Sequence, residues 1–473
     1  MTSVLLARWL GPVSFGDMAF LLGTFLGVRQ FLDMGTSSAF FTFLSQRRRS
    51  WSFIRDFIVW LALQFLIPVI IIVLLFPDRW ITNFWHDSQR SLVACAFIAV
   101  FAQSTLWPIA QSLAESARKT VFVQKIGVIT AALHLLAATV FFVTGVLNLY
   151  AIFIAIFVEY IVVFYLVVRN YHLEDSSDVH AAPEPAIADY VKYCVPLVPL
   201  FIFGAAQEVV DRWLLQSYGG SISQGYFAFS YQIAGMAVLF ISAIVRIFWK
   251  EIAEIFHSGD QTQLTDLFNK VLRITRVIAG VVAGFIAIYA SEIIRITAGP
   301  AYKGAYLTMG ILSVYVAYMA VGQIYSTLLM ATGKVKVVSY MGSSLSLLSA
   351  VMAYVMLATE FGRSVGFANA AENIAIKMLA VEFIASIIYS FIVYKIWAIS
   401  FSSGVQFFCI VFGLGIAWLS RNSLLYLISA EHNLILIISG FSIYLLASGS
   451  VVYMAPKFFG LREGDLPWKT ARI

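Results

Sequence analysis

The sequence predicts an all-α polytopic membrane protein of about thirteen transmembrane helices: two helical bundles followed by two extra helices. Three observations carry this. Apolar residues make up 61% of the 473 residues and charged residues 12%, against roughly 45–50% and 25% in soluble domains, so a water-facing surface could not be assembled. Apolar stretches of about 20 residues, the span of a bilayer core, recur along the whole length. A segment near the start also has a degenerate copy in the second half. The runs are long and solid, whereas a transmembrane barrel needs alternating segments of about ten residues.

In chain order, the opening MTSVLLARWL is apolar but too short to span, and a Gly11-Pro12 turn follows it. The next run, 16–32, leads into Arg29 and Asp33 and ends near Gly35. A charge at membrane depth costs at least about 2.5–3.5 kcal/mol, so it lines a bundle interior or a water-filled path. Runs at 53–76, 91–113, 121–143 and 149–168 complete an N-terminal bundle, residues 1–168, whose first helix is truncated. The stretch RNYHLEDSSDVHAAPEPAIADY, residues 169–190, holds two prolines and several acids and reads as a cytoplasmic linker. A C-terminal bundle, residues 191–395, contains runs at 191–217, 225–248, 272–290, 305–331, 337–358 and 374–394. Residues 396–473 add helices at 405–420 and 434–454 and a cytoplasmic tail. Between them, WKEIAEIFHSGDQTQLTDLFNKV (249–271) alternates apolar and charged residues at helical spacing, which predicts a helix lying on the cytoplasmic surface.

The net charge of +6 follows topology. With alternate loops on opposite sides, Arg47, Arg48 and Arg49 share a side with Arg118, Lys119, Lys125, Arg169, Lys192, Arg246, Lys250, Lys270, Arg273, Arg276, Lys334, Lys336, Lys395 and Lys457. The other side holds scattered cations such as Arg79, Arg90, Arg295, Lys303, Arg363 and Arg421. This is the positive-inside pattern; it requires no nucleic acid and puts the C-terminus in the cytoplasm. No cleavable signal peptide is visible.

Cys95, Cys194 and Cys409 stand singly in apolar segments, and the six histidines form no HExxH or His–carboxylate cluster. Neither metal, cofactor nor covalent catalysis is expected. His134, alone in an apolar helix, reads as a packed or lipid-facing residue.

FGDMAFLL (from Phe15) is echoed by QGYFAFSY (from Gln224), each just after a Gly-containing turn, Gly11-Pro12 and Gly219-Gly220. LAESARKT (from Leu113) is echoed by LMATGKVK (from Leu329). Two matches in the same order point to an internal duplication, common in secondary transporters. The second copy has a full helix, 191–217, before its turn, and the first has only the short opening. Restoring that helix gives fourteen, six per repeat plus two.

The pattern R-x-LGP-x-x-FG with LDMGTSSAFF resembles polysaccharide (O-antigen or lipid-linked oligosaccharide) flippases of the multidrug/oligosaccharidyl-lipid/polysaccharide exporter (MOP) superfamily. EVVDRWLLQSYGGSISQGYFAFSYQI, AGPAYKGA (from Ala298) and LLMATGKVKV (from Leu328) are similar to the same family. The resemblance covers nearly the whole chain. It implies two six-helix bundles around a central cavity that opens alternately to either face. It also implies movement of undecaprenyl-pyrophosphate-linked oligosaccharides from the cytoplasmic to the outer leaflet of a bacterial inner membrane.

The intramembrane charges each admit two readings. Arg29 and Asp33 share a helical face; Arg29 would face the cavity with Asp33 holding it, or the two form an interfacial pair with Asp33 capping the break at Gly35. Glu208, Asp211 and Arg212 would form a gate or proton-linked site, or a structural pair near the external interface, on a helix kinked by Pro196 and Pro199. Lys377 would face the cavity or snorkel to the interface. Arg246, Arg273 and Arg276 sit at cytoplasmic helix ends by charge bias, where they would also form a cationic mouth for an anionic lipid carrier. Glu159 is a candidate proton carrier.

The expected function is therefore a flippase for lipid-linked polysaccharide repeat units, with membrane lipids around it and a pathway polymerase and glycosyltransferases as partners. A cation-coupled multidrug exporter of the same fold and a membrane polysaccharide polymerase or ligase are the rivals. The cations weigh against the first and the short external loops against the second.

Overall fold

A computed structural model describes residues 2–46, 49–86, 88–174, 187–365, 369–399, 403–426 and 433–461. Among the described residues every regular element is helical, and twelve helices are long and apolar enough to cross a membrane. The difference from thirteen has a local cause. The run 191–217 leads into 225–248 across a kink at Gly220 with no loop between them, so the two count as one apolar segment.

The first compact unit comprises residues 1–225 with 342–350. It contains α1 (Thr2–Asp33), α2 (Thr36–Gln46), α3 (Trp51–Ile70, extended by a π turn over Ile71–Leu75) and the short α4 (Asp78–Phe84). Next come α5 (Arg90–Phe101), a π turn over Ala102–Leu106, α6 (Trp107–Ser116), α7 (Thr120–Val143), α8 (Leu149–Glu174), α9 (Ile187–Cys194) and the start of α10 (Val198–Ser258). The second unit, residues 226–341 and 351–473, takes the rest of α10 and then α11 (Gln261–Ile288), α12 (Ala290–Thr297) and α13 (Tyr306–Ala331). After α14 (Val335–Ala358) and the short α15 (Glu360–Val365) come α16 (Ala370–Trp397), α17 (Ser403–Leu425) and α18 (Asn433–Met454).

The duplication is written in the backbone. Gly11 (φ 73°, ψ 172°) breaks α1 and Gly220 (φ 68°, ψ −178°) breaks α10. Both lie in a region open essentially to glycine alone. The second echo is equally exact in its hydrogen bonds but shifted by one residue. At the end of α6, Arg118 N donates to Glu115 O (2.9 Å) and Lys119 N to Ala114 O (2.8 Å). At the end of α13, Gly333 N donates to Met330 O (3.0 Å) and Lys334 N to Leu329 O (2.8 Å). Arg118 (φ 58°) thus stands where Gly333 (φ 75°) stands, and Leu113 corresponds to Leu328. The left-handed residue that closes each helix sets the register.

Two further expectations change. Of the stretch 169–190, residues 175–186 lie outside the described residues, as do Arg47 and Arg48; its described ends are helical, on α8 and α9. The helical spacing over 249–271 is present but interrupted, so the stretch is two helix ends and not one helix. α10 runs to Ser258, Gly259 (φ 79°) turns the chain, and Asp260 accepts from Gln263 N (2.9 Å) to cap α11.

Small residues let helices touch. In the first unit Gly16 packs on the Ser221 carbonyl and Gly225 on that of Pro12, while Gly27 meets Val209. In the second unit Gly280 and Gly284 on α11 pack on Cys409 and Gly413 of α17.

Candidate functional site

The charged groups of the first unit gather along α1 and its neighbours. Pro108 offers no N–H to the carbonyl four residues back, and the helix before it loosens into the π turn Ala102–Leu106. That turn carries Thr105, 1% exposed, whose hydroxyl accepts from Arg29 Nε (3.3 Å). Arg29 is half-buried. One turn on, Asp33 is engaged elsewhere: its carboxylate accepts from Gly35 N (3.3 Å), Ser37 N (3.0 Å) and Thr36 Oγ1 (3.2 Å). It caps α2 across the break at Met34-Gly35 (φ 42° and 89°) and is not ion-paired to Arg29. Four residues apart, the two charges serve different helices.

On α10, Glu208 and Arg212 form an intrahelical ion pair (Nε–Oε1 3.3 Å), and the Arg212 stem lies over Gly23, where a Cβ would come within 2.6 Å of Nε. Asp211, half-buried, stands on the same turn of helix. Sequence reasoning missed the neighbouring group: Asp17 on α1 accepts from Ser221 Oγ (2.5 Å) and lies 3.5 Å from Gln216 Nε2, pinning the break at Gly220. Glu159 was anticipated, but its partner was not. Its Oε2 lies 2.8 Å from His134 Nδ1.

In the second unit Arg276 is 3% exposed and sits in the body of α11, because that helix starts at Gln261 and not near 272. Its Nη2 donates to Tyr325 OH (3.0 Å), and Tyr325 OH donates to Ser390 Oγ (3.2 Å), joining α11, α13 and α16. Lys377 does not snorkel: it is fully buried on α16, behind buried Glu372 and Asn373. Glu382 is turned toward Gly322, where a Cβ would lie 2.7 Å from Oε1. Arg273 is half-buried with its stem beside Gly460. The Arg246 side chain lies outside the described residues. Glu292, buried on α12, holds Arg421 of α17 at 2.7 Å, another pair the sequence did not advertise.

Residues 5–307 match the family model described as polysaccharide biosynthesis protein. The chain belongs to that family. No curated protein matches it. As a polysaccharide biosynthesis protein, it has the fold of several solved transporters. A lipid II flippase MurJ in an inward closed conformation superposes with a TM-score of 0.71 at 15% identity, covering 96% of this chain and 95% of that one. An inward-facing multidrug resistance MATE family transporter of the MOP superfamily gives 0.66 at 14% identity, covering 84% and 93%. A MOP superfamily transporter from Pyrococcus furiosus gives 0.58 at 14% identity, covering 84% and 91%. At these identities the likeness establishes the fold, and the twelve long apolar helices among the described residues fit a multi-pass membrane protein.

Among the described residues, the polysaccharide biosynthesis family member thus holds cations on helices below the surface at Arg29 and Arg212 in one unit and at Arg276 and Lys377 in the other. Guanidinium and ammonium groups removed from water bind anionic oxygen strongly, since the local dielectric is low.

Proposed function

We propose that the protein is a flippase that carries undecaprenyl-pyrophosphate-linked polysaccharide repeat units from the cytoplasmic to the outer leaflet of a bacterial inner membrane by alternating access. The observation that carries this reading is the burial of Lys377 and Arg276 inside a transporter fold whose family belongs to polysaccharide biosynthesis. A pyrophosphate brings negative charge that must cross an apolar slab, and buried cations offset the cost of stripping its water. The lipid tail need never leave hydrocarbon, so the protein acts on the head group alone.

Arg29, with its guanidinium held by Thr105, serves in this reading as the cation of the first unit that meets the head group. Arg273 and Arg246 add positive charge on α11 and α10, and the Glu208–Arg212 pair over Gly23 acts as a gate. A drug exporter of amphipathic cations is the alternative that the MATE likeness raises. Buried cations of the kind found here would repel such substrates, which favours the flippase.

The experiment is deletion of the gene followed by tracing of radiolabelled lipid-linked repeat units. The reading expects units to accumulate on the cytoplasmic leaflet and polymer yield to fall. Normal delivery, or a change confined to drug susceptibility, would remove it.

A further inference from the structure

His134 and Glu159 stand on α7 and α8, neighbouring helices joined by the short turn 144–148. His134 lies about nine residues before the end of α7 and Glu159 about ten after the start of α8, each roughly 14–15 Å from the turn at 1.5 Å per residue. That is about half of a 30 Å hydrocarbon core. The pair is close (Nδ1–Oε2 2.8 Å), with side chains 22% and 12% exposed. Neither residue makes another hydrogen bond among the described residues.

The other charges on the elements packed around the pair lie away from it. α1, which packs on α7, brings Arg8 and three groups already placed: Asp17 with Ser221, Arg29 with Thr105, and Asp33 with the start of α2. α5 brings the Cys95 thiol and Arg90, which bonds to Asp78 (2.6 Å); α6 brings Glu115. On the hairpin itself Lys125 and Arg169 stand toward the end opposite the turn, and Lys119 Nζ donates to Asn170 there (2.7 Å). The phenols Tyr150, Tyr160, Tyr165 and Tyr171 are the described ones on α8, Tyr150 with Ser91 and Tyr160 near Gln103, and the side chains of His172 and Glu174 lie outside the described residues. None of the described groups is within hydrogen-bond or ion-pair distance of His134 or Glu159.

We propose that His134 and Glu159 together bind the proton that drives transport, an inference that rests on the flippase reading for what the proton drives. With one proton between them, the pair is net neutral, either as imidazolium and carboxylate or as two neutral groups. Without it, the pair carries one negative charge, which is costly away from water. The proton therefore enters or leaves when one aqueous face reaches the pair, and an occluded pair keeps its proton. Uptake from one face and release to the other links proton movement to the exchange of open states. No bond other than N–H or O–H is made or broken.

The test uses full-length protein in nanodiscs with 15N-labelled histidine, the His134 signal being assigned by its loss in His134→Gln. The His134 signal is expected to respond to pH, and Glu159→Gln to change that response, because the two side chains share one hydrogen bond. In proteoliposomes, translocation of undecaprenyl-pyrophosphate-linked N-acetylglucosamine should quicken at least tenfold under a pH gradient, and either substitution should abolish the quickening. A His134 signal that does not titrate, or that ignores Glu159→Gln, overturns the proton site. Wild-type translocation indifferent to the gradient overturns coupling and leaves the flippase standing. Joint titration in protein that never moves the probe supports the proton site and counts against the flippase.

Discussion

Gly16 and Gly225 occupy equivalent places in the two copies of the repeat, and they touch. Gly16 packs on the carbonyl of Ser221 and the nitrogen of Gly225, while Gly225 packs on the carbonyl of Pro12. Ser221 follows the break at Gly220 as Pro12 follows the break at Gly11, so each glycine meets the other copy's turn. The contact is backbone against backbone, and no side chain fits.

Gly16→Ala and Gly225→Ala should each destabilise the protein by roughly 1–3 kcal/mol, because the obstructing atoms are carbonyls that cannot rotate away. Gly415→Ala is the control, since nothing lies within 4 Å of a Cβ there, and it should leave stability unchanged or slightly raised. Thermal unfolding in detergent, followed by size-exclusion recovery, reads both.

Arg29→Glu should abolish transport of an anionic lipid carrier, and Arg29→Lys should retain part of it. Thr105→Val, which removes the acceptor of Arg29 Nε, should slow transport several-fold without loss of insertion. Rates in proteoliposomes at matched protein incorporation decide this.

Lys377→Met should lower both stability and transport. The side chain is fully buried, and removing one member of a buried polar set leaves the groups around it uncompensated. Melting temperature is expected to fall, and transport by the protein that still folds to fall more than tenfold. Transport at the wild-type rate by folded Lys377→Met protein would make Lys377 a structural residue.

Arg421→Met should cost stability alone. It strands the carboxylate of Glu292, 5% exposed, at a cost of about 3–5 kcal/mol for a fully buried pair and less here because Arg421 is partly solvated. Adding Glu292→Met should recover most of the lost melting temperature, and folded protein should still transport.

Much of this was legible in advance. Solid apolar runs announced the helices, and Gly11 and Gly220 announced the breaks, because a glycine in a turn between apolar runs has few other uses. Asp33 was visible as a charge, and a cap at the break near Gly35 was one of its two readings. Arg276 was misplaced because the Asp260 cap of α11 sat inside a polar stretch that resembled a surface helix. Thr105 was invisible: it reaches Arg29 through a π turn, whose register no helical period describes. The His134–Glu159 pair was half visible, since both residues lie at similar distances from the turn at 144–148. Pairing across an antiparallel hairpin follows from that symmetry, not from local spacing.

The central claim is that this fold moves a lipid-linked pyrophosphoryl saccharide. The direct measurement is outer-leaflet appearance of radiolabelled undecaprenyl-pyrophosphate-linked repeat units in inverted and right-side-out vesicles, with and without the protein. The account predicts translocation that requires the protein and is lost with Arg29→Glu. Equal translocation in vesicles lacking it, or full activity in an Arg29→Glu protein that inserts normally, would contradict it.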